Sequence, residues 1–276
     1  MTESWFAGIA AGDEEAAVAA IRDGSASAPA DWPAAAVKSG FATDTEEYYE
    51  QLHEATTSAA RAAVRAAELS DDQQLIHAVR AMDDCESTAN ELAERVAEWA
   101  GTHDTDARTG IAGAREIAER DPETPVEARA VGLAGRVAGL ADEADDLRQY
   151  IDQAAPSVAP NLSALAGPVL AARLIALAGG LESLAKEPSG TVQVLGAEDA
   201  LFAHLQGGAP SPKHGVIYTH DAVRNTPKAN RGSAARALAG KLSIAARVDH
   251  YSGDLRPELE AELQERIETI RSRESQ

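Results

Sequence analysis

Two adjacent carboxylates, Glu198 and Asp199, sit inside QVLGAEDALFAHL (193–205), with apolar residues on both sides. A pair placed this way fits an acid/base couple, a metal site or the solvated first turn of a helix. His214, His220 and Asp221 form a second group with chemical capacity. A metal there would need another strong ligand. No further His or Cys lies near them in sequence, and no pair of histidines has the spacing that puts both on one helix face. The single cysteine, Cys85, is flanked by Asp83, Asp84 and Glu86, an acidic setting that argues against a nucleophile. One cysteine also allows no disulfide framework, so a reducing cytoplasm is the simplest location. Glycine pairs 179–180 and 207–208 belong to no phosphate-cradling motif, and no GxSxG elbow occurs. The sequence therefore leads to no catalytic residue, no metal and no cofactor. A nuclease built on His214 and His220 is the enzymatic reading to be tested against binding.

Binding has more support. The 276 residues carry a net charge of −20, with only five Lys. On a first pass that argues against nucleic acid, whose partners carry a basic footprint. Abundant Ala, excess acid and scarce Lys also fit solubility in multimolar salt, the composition of a salt-accumulating, halophilic cell. There the Debye length is only about 3 Å and self-repulsion is screened. The charge is uneven. Between Pro156 and Gly253 nine Lys or Arg face six Asp or Glu, and four of the five lysines fall there. Lys213, His214, His220, Arg224, Lys228 and Arg231 lie on expected loops around VIYTH (216–220), which reads as one short strand. Arg236, Lys241 and Arg247 follow on the next helix. Cations on loops reach phosphate oxygens, and a solvated basic face is the alternative.

The elements that must position these residues are helical. One helix is expected near 13–22, then continuous helical pattern from about Thr45 to Gly101. Apolar residues Ile76, Val79, Met82, Ala89, Leu92, Val96 and Trp99 mark one face of a long helix. A second seam runs through Val137, Leu140, Ala144, Leu147 and Ile151, and residues 101–127 read as the turn-around between them. The two make an antiparallel hairpin, either closing on itself or pairing with another copy through Val137, Leu140, Leu147 and Ile151. Beyond Pro156, NLSALAGPVLAARLIALAGGLESLAK is apolar nearly all round and reads as buried helix broken at Pro168 and Gly179. An amphipathic helix over 234–247 and a solvated helix in DLRPELEAELQERIETIRSR complete the chain. The expected fold is mainly α, with a shortened N-terminal region (1–70), a hairpin (71–155), a helical domain with one short strand (156–253) and a C-terminal solvated helix (254–276). No apolar run approaches the ~18 residues needed to span a bilayer, so no membrane partner is expected.

APNLSALAGPVLAARLIALAGGLESLAK, TVQVLGAEDALFAHL, SPKHGVIYTH and the run from Arg231-Gly232 to Tyr251-Ser252-Gly253 closely resemble the Nop domain. That domain belongs to the scaffold subunit of box C/D guide-RNA ribonucleoproteins and to a related spliceosomal protein. DQQLIHAVRAMDDCESTANELAERVAEWAGTH (72–103) resembles the first long coiled-coil helix of the archaeal scaffold, so the whole chain is similar to that archaeal family. The resemblance implies a non-enzymatic role. The family's Nop domain recognises a kink-turn RNA already bound by a small ribosomal-protein-like subunit. Its coiled coil forms a homodimer, and its N-terminal domain holds fibrillarin, the methyltransferase that modifies ribose 2′-hydroxyls. By resemblance Gly196, Ala197 and Glu198 match a family signature at a helix start near the RNA, and the charge clustering adds Lys213, His214, His220, Arg224, Lys228, Arg231, Arg236 and Lys241 as RNA-facing residues. The chain departs from the family where Asp199 replaces the lysine after Gly-Ala-Glu and where Ser233 follows Arg231-Gly232. The family's mixed α/β N-terminal domain is larger than the stretch preceding Thr45, and the coiled coil is shortened between 104 and 130. A general RNA-binding protein that recruits no methyltransferase is the alternative.

Overall fold

The computed structural model describes residues 4–10, 12–24, 30–101 and 108–272. They divide into two units, residues 1–70 and 71–276.

In the first unit, α1 (Glu14–Asp23), α2 (Trp32–Ser39) and α3 (Thr45–Glu68) follow one another. Each begins on an aspartate whose side chain accepts a backbone N–H of the first turn: Asp13, Asp31 and Asp44. At α3 the Glu47 carboxylate also reaches back past the N-cap and accepts the N–H of Thr43 at 2.6 Å. The core is aromatic: Phe6, Phe41 and Tyr48 are buried, with Trp5 and Trp32 packed against them. Phe6 stacks on Phe41 with centroids 4.9 Å apart, and Trp5 donates its indole N–H to the Tyr48 hydroxyl at 3.2 Å. The sequence expectation of one helix before Thr45 missed α2, which is short and starts on Trp-Pro.

The second unit opens on the hairpin. α4 (Asp71–Gly101) and α6 (Pro125–Val158) run against each other, and α5 (Gly110–Ala118) packs on both. α5 occupies what the sequence reads as a turn-around; its nine residues are too short a stretch to stand out between polar, Pro-containing flanks. The start of α6 is set by Thr124, which accepts the Glu127 N–H at 3.2 Å, with Pro125 at a position needing no donor. Pro156 lies in the last turn of α6, so the helix outlasts the expected boundary. The seam is used inside one chain. Val137 is fully buried beside Ala89, Ala93, Val96 and Ile117, with Leu140 packed on that cluster. Ile151 is fully buried with Ile76, Val79 and Met82, and Leu147 packs against that core. Val137 and Ile151 are thus filled within the chain, while Leu140 and Leu147 stay partly exposed along the hairpin.

The chain then folds into short helices on the hairpin's base: α7 (Pro160–Ala166), α8 (Pro168–Ala178), α9 (Leu181–Lys186), α10 (Ser189–Val194), α11 (Glu198–Leu205), α12 (Asp221–Arg224), α13 (Arg231–Tyr251) and α14 (Glu258–Ser272). Proline starts α7 and α8, and Gly179, at φ +82°, ends α8 in the left-handed conformation. α8 buries Leu170, Leu174 and Ile175, and α13 buries Leu238 and Leu242 in the same core. No single helix among the described residues is long and apolar enough to cross a membrane.

Two expectations are corrected. VIYTH is no strand: Val216–Thr219 forms a 3-10 turn, because after two backbone bonds to the 193–195 segment the chain curls on itself. Nor is α14 merely solvated. Leu259, Leu263, Ile267 and Ile270 are buried in the main core, while its glutamates face outward.

Candidate nucleic-acid interface

Glycines bring two distant segments together. Gly215 donates its N–H to the Gln193 carbonyl at 2.9 Å, and Val216 donates to Leu195 at 2.7 Å. The Gln193 amide adds a bond to the Lys213 carbonyl at 2.7 Å. The Gly-Ala-Glu-Asp turn is thereby stitched to the Ser-Pro-Lys-His-Gly loop. Gly196 takes φ +79°, and a Cβ there would lie 3.3 Å from Cβ of Val216. These contacts also settle what the paired carboxylates do. Glu198 accepts the Gly196 N–H at 2.8 Å and closes its own turn, while Asp199 stands exposed beside it in the first turn of α11. Among the described residues neither is hydrogen-bonded to a second acid or base.

On the other wall of this loop, His214 stacks on Tyr218, with ring centroids 4.7 Å apart and 24° between planes. The Arg231 guanidinium lies 5.4 Å over the same tyrosine. Arg231 is fixed from behind, donating to the carbonyls of Thr226 (3.0 Å) and Arg224 (3.4 Å). Its first helical turn also passes close to Lys213, whose aliphatic carbons lie 3.6–3.8 Å from the position of a Cβ on Gly232. Lys213, His214, Tyr218 and Arg231 thus form one patch. Partial burial lowers the His214 pKa first, and the neighbouring Arg231 and Lys213 charges push the same way. His214 is therefore a neutral stacking ring at pH 7 rather than a cation.

The other expected residues fall into two kinds. Lys228 and Arg236 are exposed, and their side chains have no hydrogen-bond or ion-pair partner among the described residues. Arg224 is exposed and pairs with Asp221 at 2.8 Å, a weak solvated bridge that a phosphate could displace. His220 and Lys241 differ from expectation. Lys241 is paired with Glu262 of α14. His220 is turned inward: Nε2 lies 3.0 Å from the Leu165 carbonyl, and Nδ1 accepts the Ala222 N–H at 3.1 Å to cap α12. Those partners assign a neutral ring with the proton on Nε2. Both nitrogens are occupied, so His220 cannot serve as an acid or base with His214. Among the described residues no three His, Cys, Asp or Glu side chains converge as a metal would require.

His220 gives a pH prediction. Burial lowers its pKa, against the opposing pull of the Leu165 bond and Asp221. The unfolded chain, with histidine near 6.5, then binds more protons than the folded one just below that pH. Its contribution is present in full above the unfolded value and is lost as the pH falls through the lower folded one. The denaturation midpoint is expected to drop between pH 7.5 and 5.5 more steeply in the natural chain than in His220→Gln. Parallel curves would show that burial does not lower the pKa of this ring.

Tyr218, Gln193 and Thr226 were missed from sequence. Tyr218 was hidden by the strand reading, which gave it no loop-facing role. Thr226 is buried, with its hydroxyl donating to Ala222 at 2.7 Å, and only its place between Asn225 and Pro227 hinted at a turn.

The second unit is thus a helical hairpin carrying a helical bundle with a loop-built cationic face. The model of the Nop family, described as "snoRNA binding domain, fibrillarin", matches residues 69–270, and the chain belongs to that family. An uncharacterised NOP5 family protein of Methanocaldococcus jannaschii is 33% identical, over 84% of this chain and 65% of the relative. Nucleolar protein 56 of Saccharomyces cerevisiae is 34% identical, over 70% of this chain and 46% of its own length. Nucleolar protein 58 of Aspergillus clavatus is 35% identical over 64% and 36%. The chain spans less than two thirds of the length of each of these relatives. A chain in the crystal structure of a fibrillarin/Nop5p complex shares the fold, with a TM-score of 0.54 and 24% identity over 94% of this chain and 91% of that one.

Proposed function

We propose that this protein is the scaffold of a box C/D-type ribonucleoprotein. It binds a kink-turn guide RNA already carrying its small ribosomal-protein-like subunit and holds fibrillarin for guide-directed 2′-O-methylation. It is a non-catalytic subunit. The observation that carries this reading is the Lys213–His214–Tyr218–Arg231 patch inside the matched family region. A ring already stacked on a tyrosine offers its free face to a base, and the flanking cations suit phosphates. Beside the patch, α11 leaves Phe202 63% and Leu205 72% exposed. Exposed apolar side chains next to a basic loop suit a composite surface of protein and RNA better than RNA alone.

Each phosphate contact adds a slope near −0.9 in log K against log salt on duplexes, so at molar salt this Coulombic contribution is nearly exhausted. Shape and the partner subunit then decide binding. Negligible affinity is expected for kink-turn RNA alone in molar salt, and tight binding once the small subunit is present. Lys213→Ala with Lys228→Ala, both exposed, is expected to weaken that complex several-fold and leave the thermal midpoint unchanged. Equal affinity for naked and protein-bound RNA would favour the general RNA-binder. That second reading draws on the first unit, whose described residues are helical and small where the family carries a larger mixed α/β domain. Self-association through the coiled-coil hairpin is part of the proposal, with Leu140 and Leu147 partly exposed along it.

A further inference from the structure

The last turn of α14 holds the basic loop from behind. Arg271 donates from Nε to the Thr226 hydroxyl at 3.1 Å and from Nη2 to the Asp221 carbonyl at 3.0 Å. One residue earlier, the Ile270 carbonyl accepts the Asn230 side-chain amide at 3.2 Å. Both ends of the 221–231 segment are therefore tied to α14. Thr226 is 1% exposed and cannot turn to water for other partners. Its carbonyl accepts Arg231 Nε at 3.0 Å, and Arg231 covers the tyrosine that stacks on His214. The contacts run without a break from Arg271 through Thr226, Arg231 and Tyr218 to His214.

We propose that Arg271 is a positioning residue for the ribonucleoprotein surface: through Thr226 it fixes Arg231, and through Arg231 it fixes the His214–Tyr218 stack. Arg271 touches no RNA in this account. The inference rests on the reading of the Lys213–Arg231 patch as the binding surface. Two rival roles are a long-range positive charge near phosphates and general stabilisation of α14. They differ from positioning in what the conservative variant and the double variant do.

The test uses the full chain and a kink-turn RNA carrying its small subunit, with affinity read by fluorescence anisotropy. Arg271→Ala is expected to weaken binding about fivefold and Arg231→Ala about tenfold, the range of one or two lost charge-assisted bonds. The double variant is expected to be no weaker than Arg231→Ala, because Arg271 acts through Arg231. Arg271→Lys keeps the charge but cannot make both bonds, and is expected to stay weak. The Arg231 Nε–H resonance, observed by NMR in selectively labelled protein, is expected to move in Arg271→Ala. Additive losses in the double variant, or full recovery with Lys, would overturn positioning. If Arg231→Ala weakens binding and Arg271→Ala does not, the inference falls while the surface stands. If neither Lys213→Ala nor Arg231→Ala weakens binding, the surface is misplaced and the inference falls with it.

Discussion

Asp249→Ala is expected to destabilise the 71–276 unit by about 3 kcal/mol, the loss of several hydrogen bonds to a buried carboxylate. Asp249 is buried on α13 and accepts three bonds: the Asn161 N–H at 2.9 Å, the Asn161 side-chain amide at 2.6 Å and the Leu162 N–H at 2.9 Å. Two of these are orphan donors in the first turn of α7. Asn161, 1% exposed, passes the network on: its amide donates to the Asp254 carbonyl and its oxygen accepts the Arg256 N–H at 2.7 Å. One carboxylate thus ties α7, α13 and the link to α14. Asp249→Asn is expected to recover little, since its amide nitrogen would face a donor. Calorimetry is expected to show the unit's midpoint falling by about 6–12 °C in Asp249→Ala. A fall of a degree or two would mean water replaces the carboxylate.

Gly215→Ala is expected to damage the binding surface more than any exposed cation. The obstacle at Gly215 is space. An added Cβ would fall 1.9 Å from the Leu195 carbonyl oxygen and 2.7 Å from the Leu195 and Val194 carbonyl carbons. Backbone cannot yield as a side chain would. The two bonds joining 215–216 to 193–195 must open, at a cost of about 2–4 kcal/mol. Lys213 and His214 then lose their placement beside Tyr218. Affinity for the protein-bound kink-turn RNA is expected to fall about tenfold or more, as 1.4 kcal/mol already gives a factor of ten. Unchanged affinity in a folded variant would show that the stitched turn does not hold the site.

Much of this was legible in sequence because it depends on local chemistry. Apolar spacing marked the faces of α4 and α6, and proline and glycine marked the breaks at Pro168 and Gly179. Charge retained within an acidic chain pointed to residues 213–236. What was not legible depends on contacts far apart in the chain. VIYTH has strand composition, yet its partner segment offers only two backbone bonds before the 3-10 turn begins. His220 reads as a loop histidine, and only the Leu165 carbonyl, fifty-five positions away, turns it into a cap. The glutamates of α14 suggested solvent all round, although Leu259, Leu263, Ile267 and Ile270 recur at intervals of three and four. Whether the hairpin seam closes within one chain or between two could not be decided by period alone. The alanines at 89, 93 and 134 let α4 and α6 approach closely enough to fill it internally.

The most direct test of the scaffold account is reconstitution with fibrillarin, the kink-turn subunit and a guide RNA, followed by a 2′-O-methylation assay on a paired target. Methyl transfer at the guided nucleotide that disappears when this chain is left out is the predicted result. Assembly of the RNA and small subunit with this chain, but without fibrillarin and without methyl transfer, would contradict it.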